Sequence, residues 1–234
     1  MSKGPLVSII MSVYNGESSL SKSINSMTIQ TYKNMEILIM DDGSTDNSHK
    51  ILEESANADK RIKVFQNTEN IGLTKSLNLL IEETKGDFIA RQDADDTSNQ
   101  YRIEKQLDFM KINGLDASTT RAKIIGRNKI IPNISYFLPK KLVMKYKNPY
   151  IHGSLVIKKS TLEKHNNYDE KFYYAQDYKL MSELHKNNTR IGIIKEPLYY
   201  LNMKNNISEK YYQEQQHYAR CVRLGIEPNL LKNK

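Results

Sequence analysis

Leu6-Val-Ser-Ile-Ile-Met-Ser-Val13, followed at a distance by Glu36-Ile-Leu-Ile-Met40-Asp-Asp-Gly-Ser44, decides the fold. Both are short runs of branched apolar residues that stop in turn-forming polar residues, the pattern of strands buried on both faces. Between them Leu20, Ile24 and Met27 recur at helical spacing. Further on, Asp46 to Ala58 reads as a helix with Ile51 and Leu52 inward, and Ile62 to Phe65 as a strand. Leu73, Leu77, Leu80 and Ile81 mark a third helix, which Gly86 is expected to close before a strand begins at Asp87 to Ala90. Strand and helix alternating in this way predict βαβ units and a mostly parallel, Rossmann-like sheet flanked by helices.

From about residue 115 the pattern loosens. Strands are expected at Ala122 to Ile125, Leu155 to Ile157 and Ile191 to Ile194, and helices at Lys140 to Tyr146, Tyr178 to Lys186 and Ser208 to Arg223. No repeat or low-complexity linker divides the 234 residues, so residues 1–234 are read as one α/β domain. Its first half is 1–115, and a less regular half, 116–234, ends in a helix.

Composition narrows the function. No stretch approaches the ~18 consecutive apolar residues of a membrane span, and the opening run is too interrupted for a signal peptide. Cys221 is the single cysteine, which fits a reducing, cytoplasmic setting. The formal charge of +8 is unevenly placed: residues 1–120 carry 13 basic and 18 acidic side chains, and the remainder 22 and 9. The basic second half suits an anionic partner such as a phospholipid surface or a phosphorylated substrate. Its lysines form no Arg-rich block, which argues against nucleic acid.

In open α/β sheets ligands sit beyond the carboxyl ends of the strands, and the chemically suggestive residues fall there. Asp41-Asp-Gly-Ser-Thr-Asp46 supplies a turn and a helix cap, and also carboxylates able to accept from the imide N–H of a nucleotide base. Asp93-Ala-Asp-Asp96 places three carboxylates within four residues, which repel one another unless a cation lies between them. Mn²⁺ or Mg²⁺ with phosphate oxygens suits such a site. A calcium loop over Asp93, Asp95, Thr97 and Glu104 fails because its sixth position is Ser98 rather than Gly. Asp177 opens a later helix, either as its cap or as a general base. His152 precedes an apolar strand as a lone His, more often structural or solvated than catalytic; His49, His165, His185 and His217 have no partners at metal-ligand spacing, and no glycine-rich phosphate loop or nucleophile elbow occurs.

Taken in order, Val7-Ser-Ile-Ile-Met-Ser-Val-Tyr-Asn-Gly16, Asp41-Asp-Gly-Ser-Thr-Asp46, Asn70-Ile-Gly-Leu-Thr74, Asp93-Ala-Asp-Asp96, Tyr168-Asp-Glu170 and Gln176-Asp-Tyr178 resemble a family 2 glycosyltransferase of the GT-A fold. The resemblance spans roughly residues 6–208. It implies an inverting, metal-dependent transfer of a sugar from a nucleotide-sugar donor, UDP by family habit, to a glycan, glycolipid or glycoprotein hydroxyl. Carried over by position, Ser12 and Tyr14 line the base pocket, Asp42 takes the base N–H, Asp93 approaches the ribose, and Lys75 adds positive charge. Asp95 ligates Mn²⁺ or Mg²⁺, and Asp177 is the catalytic base. Relatives often have Glu where this chain has Gln176, and a Tyr-Arg-x-His run where it has Tyr200-Leu-Asn-Met203, with Lys204 a substitute cation. These departures motivate the alternative of a catalytically silent nucleotide-sugar-binding subunit. The acidic half is then expected to hold donor and metal. The basic half would face a lipid-linked acceptor at the inner membrane surface.

Overall fold

The computed structural model describes residues 4–203 and 211–228. Strands β1 (Val7–Val13), β2 (Met35–Asp41), β3 (Ile62–Gln66) and β4 (Phe88–Arg91) alternate with helices α1 (Leu20–Thr28), α2 (Ser48–Ala58) and α3 (Leu73–Glu83). They lie in the order β3-β2-β1-β4, all parallel. The sheet continues through β8 (Val156–Lys158), β6 (Ala117–Ile124), β9 (Ile191–Leu201) and β5 (Thr97–Ser98), with β7 (Ile130–Ile131) hairpinned onto β6. Only β8, β5 and β7 run against their neighbours, so the sheet is mostly parallel.

Alternation along the strands explains the two helical layers. Ile9, Met11, Ile37 and Ile39 pack with Leu20, Ile24 and Met27 of α1 and Leu52 of α2. Ile10, Leu38 and Met40 point the other way, onto Leu77, Leu80 and Ile81 of α3 and onto α8 (Gln176–Lys186) through Leu180, Met181 and Leu184. Because α1 and α2 step the chain outward and α3 carries it back across the sheet, the strand order reverses at β1 and β4. The loops after these two strands diverge, and the crevice between them is where such sheets bind ligands.

Several expectations change. A helix, α4 (Arg102–Asn113), fills a stretch in which no element is expected, although Ile103, Leu107 and Met110 recur there at helical spacing; Arg102 and Gln106 are buried beside them. β6 starts at Ala117 rather than Ala122, with buried Ser118, Thr119 and Thr120 in place of the expected apolar run. β9 extends to Leu201, through a register shift opposite Thr120, Arg121 and Ala122. The helix expected over Lys140 to Tyr146 is shorter, α6 (Lys140–Val143), and is preceded by α5 (Ile134–Phe137). A further short helix, α7 (Lys159–Lys164), follows β8. The helix read from Ser208 is described as α9 (Tyr212–Leu224); Ser208 itself, like Lys204, lies outside the described residues.

Gly86 does not close α3, which ends at Glu83 with Thr84 extended. Its role is close approach: a Cβ there would lie 2.6 Å from the Ser8 backbone N and 2.8 Å from the Leu6 carbonyl oxygen. The Gly86 N–H donates to Ser8 Oγ, whose hydroxyl in turn donates to Glu36. Gly86→Ala is therefore expected to cost about 1–3 kcal/mol through overpacking against fixed backbone, read as a lowered urea midpoint with unchanged m-value.

Candidate functional site

The loops after β1 and β2 are laced together. Asn15 Oδ1 accepts from the Thr45 N–H at 2.8 Å, and the Asn15 and Gly16 N–H groups donate to Ser44 Oγ and Ser48 Oγ at 3.0 and 2.8 Å. Asp41 is fully buried, accepts from the Ser44 N–H and pairs with His49, so it builds the turn. Asp42, also buried, accepts from the Asn67 amide and from the Ile71 and Gly72 N–H groups at 2.8, 3.0 and 2.9 Å. Its carboxylate thus fixes the start of α3 and keeps unused lone-pair capacity, since two carboxylate oxygens offer about four acceptor directions. Tyr14 is 50% exposed above this mouth. A hollow of about 380 Å³ lies beside it, lined by Gly43, Ser44, Thr45, Gln66, Asn67 and Thr68. Lys75 is exposed in the first turn of α3. A wider hollow of about 510 Å³, at the start of β4 around Gly86, Asp87 and Phe88, belongs to the opposite end of the sheet and carries none of these groups.

The second cluster follows β4. Ser19 and Ser23, at the start of α1, donate to the Ala94 and Asp93 carbonyls at 3.2 and 2.8 Å and pin the loop down. Arg91 is 1% exposed, and its guanidinium pairs with the Asp93 carboxylate. Beneath it the fully buried Arg102 donates to the Arg91 carbonyl at 3.0 Å; burial lowers its pKa to about 10. The Tyr199 hydroxyl accepts from the Asp93 N–H at 3.1 Å and also bonds the Asp96 carboxyl. Asp96 accepts from the Asn202 N–H at 2.7 Å. The run Tyr200-Leu-Asn-Met203, which lacks the expected cations, thus contributes a backbone donor to the acidic loop.

These carboxyls are crowded. Enclosure by protein, then the charges of Asp93 and Asp95, push Asp96 up to about 8. Asp95 is solvent-exposed at the rim, yet low-dielectric surroundings and Asp93 raise it to about 6. Among the described residues its carboxylate bonds only its own backbone. A hard divalent cation fits this donor set, as carboxylate oxygens that repel one another are relieved by it. Among the described residues no three metal-ligating side chains converge, so the remaining ligands would come from substrate oxygens and water.

Asp177 lies in the first turn of α8, and the helix N-cap position belongs to Ala175, in the left-handed region at φ 51°. The capping alternative for Asp177 is therefore not what the structure shows. Its Oδ2 accepts from the Asn148 amide at 2.8 Å. Burial pushes the Asp177 carboxyl above its usual range, Asn148 and the Tyr178 N–H oppose this, and the charge of Asp93 adds to the upward push. The charge of Asp93 thus reaches Asp177 as well as Asp95 and Asp96. No hydrogen bond or ion pair among the described residues joins Ser12, Tyr14 or Lys75 to them; Ser12 sits at the end of β1 opposite Met40.

Three groups at this site carried no clear signal in the sequence. Asn148 orients Asp177. The turn His152–Ser154 forms the floor, where a Cβ on Gly153 would lie 2.1 Å from the Tyr199 hydroxyl and 2.4 Å from Asp93 Oδ2. His152 is held neutral by burial, then by the nearby Arg91 charge, and meets the Tyr168 hydroxyl at 2.7 Å. The Tyr173 ring lies against Gly72, close to Asp42. The His-Gly-Ser spelling was the one available hint.

A family description, Glycosyl transferase family 2, matches residues 8–182. The UDP-Glc:alpha-D-GlcNAc-diphosphoundecaprenol beta-1,3-glucosyltransferase WfgD of Escherichia coli is 35% identical over 186 residues, 78% of this chain and 71% of that protein. Among solved structures, S. aureus TarS 1-349 in complex with UDP aligns with TM-score 0.74 at 21% identity, over 92% of this chain and 64% of that one. The mannosyltransferase PcManGT from Pyrobaculum calidifontis, in complex with GDP-Man and Mn²⁺, also aligns with TM-score 0.74, at 17% identity over 96% of this chain and 66% of that one. The chain spans just under two thirds of those two solved chains. The likeness bears out the GT-A type, mostly parallel α/β fold.

The crowding has a measurable consequence in metal-free protein. Asp96 has a folded-state pKa raised to about 8, far above an ordinary Asp near 4. The folded state therefore binds the extra proton, and this group's contribution to stability declines as pH rises from about 4 through 8. Asp96→Asn, which removes the charge and keeps an acceptor for Asn202, is expected to raise stability at pH 8 relative to wild type and to flatten that slope. Urea unfolding at several pH values reads both.

Proposed function

The chain belongs to glycosyl transferase family 2, and from that premise we propose that it transfers a sugar, with inversion, from a nucleotide-sugar donor to an acceptor hydroxyl. The observation that carries this reading is that the charge of Asp93, in the acidic loop after β4, acts on Asp177, 84 positions later in the sequence.

In this reading residues 1–115 hold the donor and residues 116–234 the acceptor. Tyr14 and Ser12 flank the base, and Asp42 accepts its imide N–H with the lone-pair capacity left by Asn67, Ile71 and Gly72. Asp93, held by Arg91, is positioned for the ribose. Asp95, exposed and, among the described residues, partnered only by its own backbone, would hold Mn²⁺ or Mg²⁺. The ion supplies positive charge to the diphosphate as it departs. Lys75 adds to that charge. Asp177 takes the proton of the acceptor O–H, and the acceptor oxygen bonds to the anomeric carbon from the face opposite the diphosphate. The C–O bond to the diphosphate breaks with its electron pair on the leaving oxygen. A carboxyl lifted above its usual range by burial is a stronger base for this step. Gln176 in place of an acid leaves the upward push on Asp177 to burial and Asp93.

UDP is the proposed nucleotide, since TarS is described with UDP. PcManGT, described with GDP-Man, keeps GDP as the competing choice. The E. coli relative acts on a diphosphoundecaprenol-linked sugar, and a lipid-linked glycan is the proposed acceptor class here. No helix among the described residues is long and apolar enough to cross a membrane. We place the protein at the cytoplasmic face, with its basic half toward anionic lipid.

Asp177→Asn is expected to lower turnover about 10²–10⁴-fold while leaving nucleoside-diphosphate binding with Mn²⁺ intact. A nucleotide-sugar screen read by diphosphate release identifies the substrate on which this is measured. Normal turnover by Asp177→Asn would remove it from the role of base. Mn²⁺-dependent donor binding with no turnover on any donor would favour the silent-subunit alternative.

A further inference from the structure

From Ala117 to Leu162 the sequence holds ten Lys or Arg residues and no Asp or Glu. Within this stretch α5 and α6 are built unusually. Tyr136 and Met144 pack inward on the core, and Ser135 and Val143 are buried. Yet five large apolar side chains point outward: Ile134 is 74% exposed, Phe137 71%, Leu138 44%, Leu142 48% and Tyr146 71%. Scattered exposed hydrophobics need no explanation, but a contiguous set on one short segment marks an interaction surface.

Lysines frame this set. Lys140 is spent locally, donating to the Leu138 carbonyl at 2.9 Å and to two other carbonyls of α5. Lys141, Lys145 and Lys147 are exposed, and none forms an ion pair among the described residues. Apolar side chains bordered by unpaired lysines match the boundary between phosphate headgroups and acyl chains, where aromatic and aliphatic groups enter and ammonium groups stay with the phosphates.

The segment is not a loose appendage. The Tyr178 hydroxyl, at the start of α8, donates to the Met144 carbonyl, and Arg223 of α9 donates to the Tyr146 carbonyl at 3.4 Å. Asn148, next in the chain after Lys147, holds Asp177. The outward face therefore lies beside the acceptor end of the crevice.

The geometry points to a membrane-docking surface: Ile134, Phe137, Leu138, Leu142 and Tyr146, ringed by Lys141, Lys145 and Lys147, seat the protein on an anionic phospholipid bilayer. This deepens the lipid-side placement proposed above and rests on the transferase reading only for its purpose, because vesicle binding needs no turnover. A surface of this kind presents an acceptor carried in the membrane to Asp177 from the side at which Asn148 stands.

The test is cosedimentation of the full chain with vesicles, with Mn²⁺-dependent nucleoside-diphosphate binding measured on the same samples. Wild type is expected to bind phosphatidylglycerol–phosphatidylcholine vesicles and to bind phosphatidylcholine alone far more weakly. Lys141→Gln with Lys145→Gln should weaken binding about thirtyfold, at roughly a fivefold loss per lysine, and added salt should weaken wild type in the same direction. Phe137→Ser with Leu142→Ser should weaken it about tenfold or more, and the remaining binding should become more salt-sensitive. Both variants alter exposed side chains and should keep nucleoside-diphosphate binding, which separates loss of docking from loss of fold or of the donor site. Equal vesicle binding by wild type and both variants, preference for an RNA oligomer over vesicles, or a dimer that the serine variant dissolves without any vesicle binding would each overturn the assignment.

Discussion

Three carboxyls, Asp93, Asp95 and Asp96, stand at the end of one strand and repel one another, and much of the surrounding structure exists to keep them there. Two guanidiniums lie beneath them almost wholly out of water: Arg91 pairs with Asp93, and Arg102 donates to the Arg91 carbonyl while its charge faces the Tyr199 ring at 5.6 Å. Burying such charges is costly unless partners compensate. Here the compensation runs both ways, since the arginines stabilise the acidic loop and the loop gives the arginines their anion. Among the described residues the Nε atoms of both arginines find no hydrogen-bond partner. Those unpaired donors, with carboxyls raised to about 6 and about 8, concentrate unfavourable electrostatics at the place proposed to hold a cation.

The closing of the site depends on the later part of the chain. Tyr199 and Asn202 come from β9 and its exit, the His152–Ser154 turn from the entry to β8, and Asp177 from α8. Each reaches the acidic loop only because β8, β6 and β9 extend the same sheet beyond β4. The reversal of strand order at β1 and β4 opens the crevice, and the extension supplies its far wall. The carboxylates proposed to hold the metal and to remove the proton therefore come from separate parts of the sequence, with the charge of Asp93 acting on Asp177.

The parts of this arrangement that were legible in the sequence are those where burial is apolar. Ile9, Ile37 and Leu38 leave a strand pattern because both faces of those strands meet helices, and Leu73, Leu77 and Leu80 leave a helical one. α4 has a helical pattern in Ile103, Leu107 and Met110, but it is interrupted by Arg102 and Gln106, which occupy inward positions and bury polar atoms against the Arg91 and Ser118 carbonyls. β6 was read too short for the same reason, its middle being Ser118, Thr119 and Thr120. The acidic loop could be read because like charges crowded in sequence are also crowded in space. Asn148 and Asp177 could not be paired beforehand, because nothing local in either segment refers to the other. Gly86 was misread because a glycine after a helix has two explanations, and only the backbone of β1 at 2.6 Å decides between them.

On the proposed reading the acidic loop becomes a cation site only together with a nucleoside diphosphate, since the described residues offer no complete ligand set of their own. Titration of Mn²⁺ into the protein, followed by electron paramagnetic resonance with and without UDP or GDP, tests this directly. The account predicts that the diphosphate tightens Mn²⁺ binding by about tenfold or more, and that Mn²⁺ tightens diphosphate binding by the same factor, as linkage requires. Equal Mn²⁺ affinity with and without the nucleotide, or nucleotide binding indifferent to Mn²⁺, would contradict it.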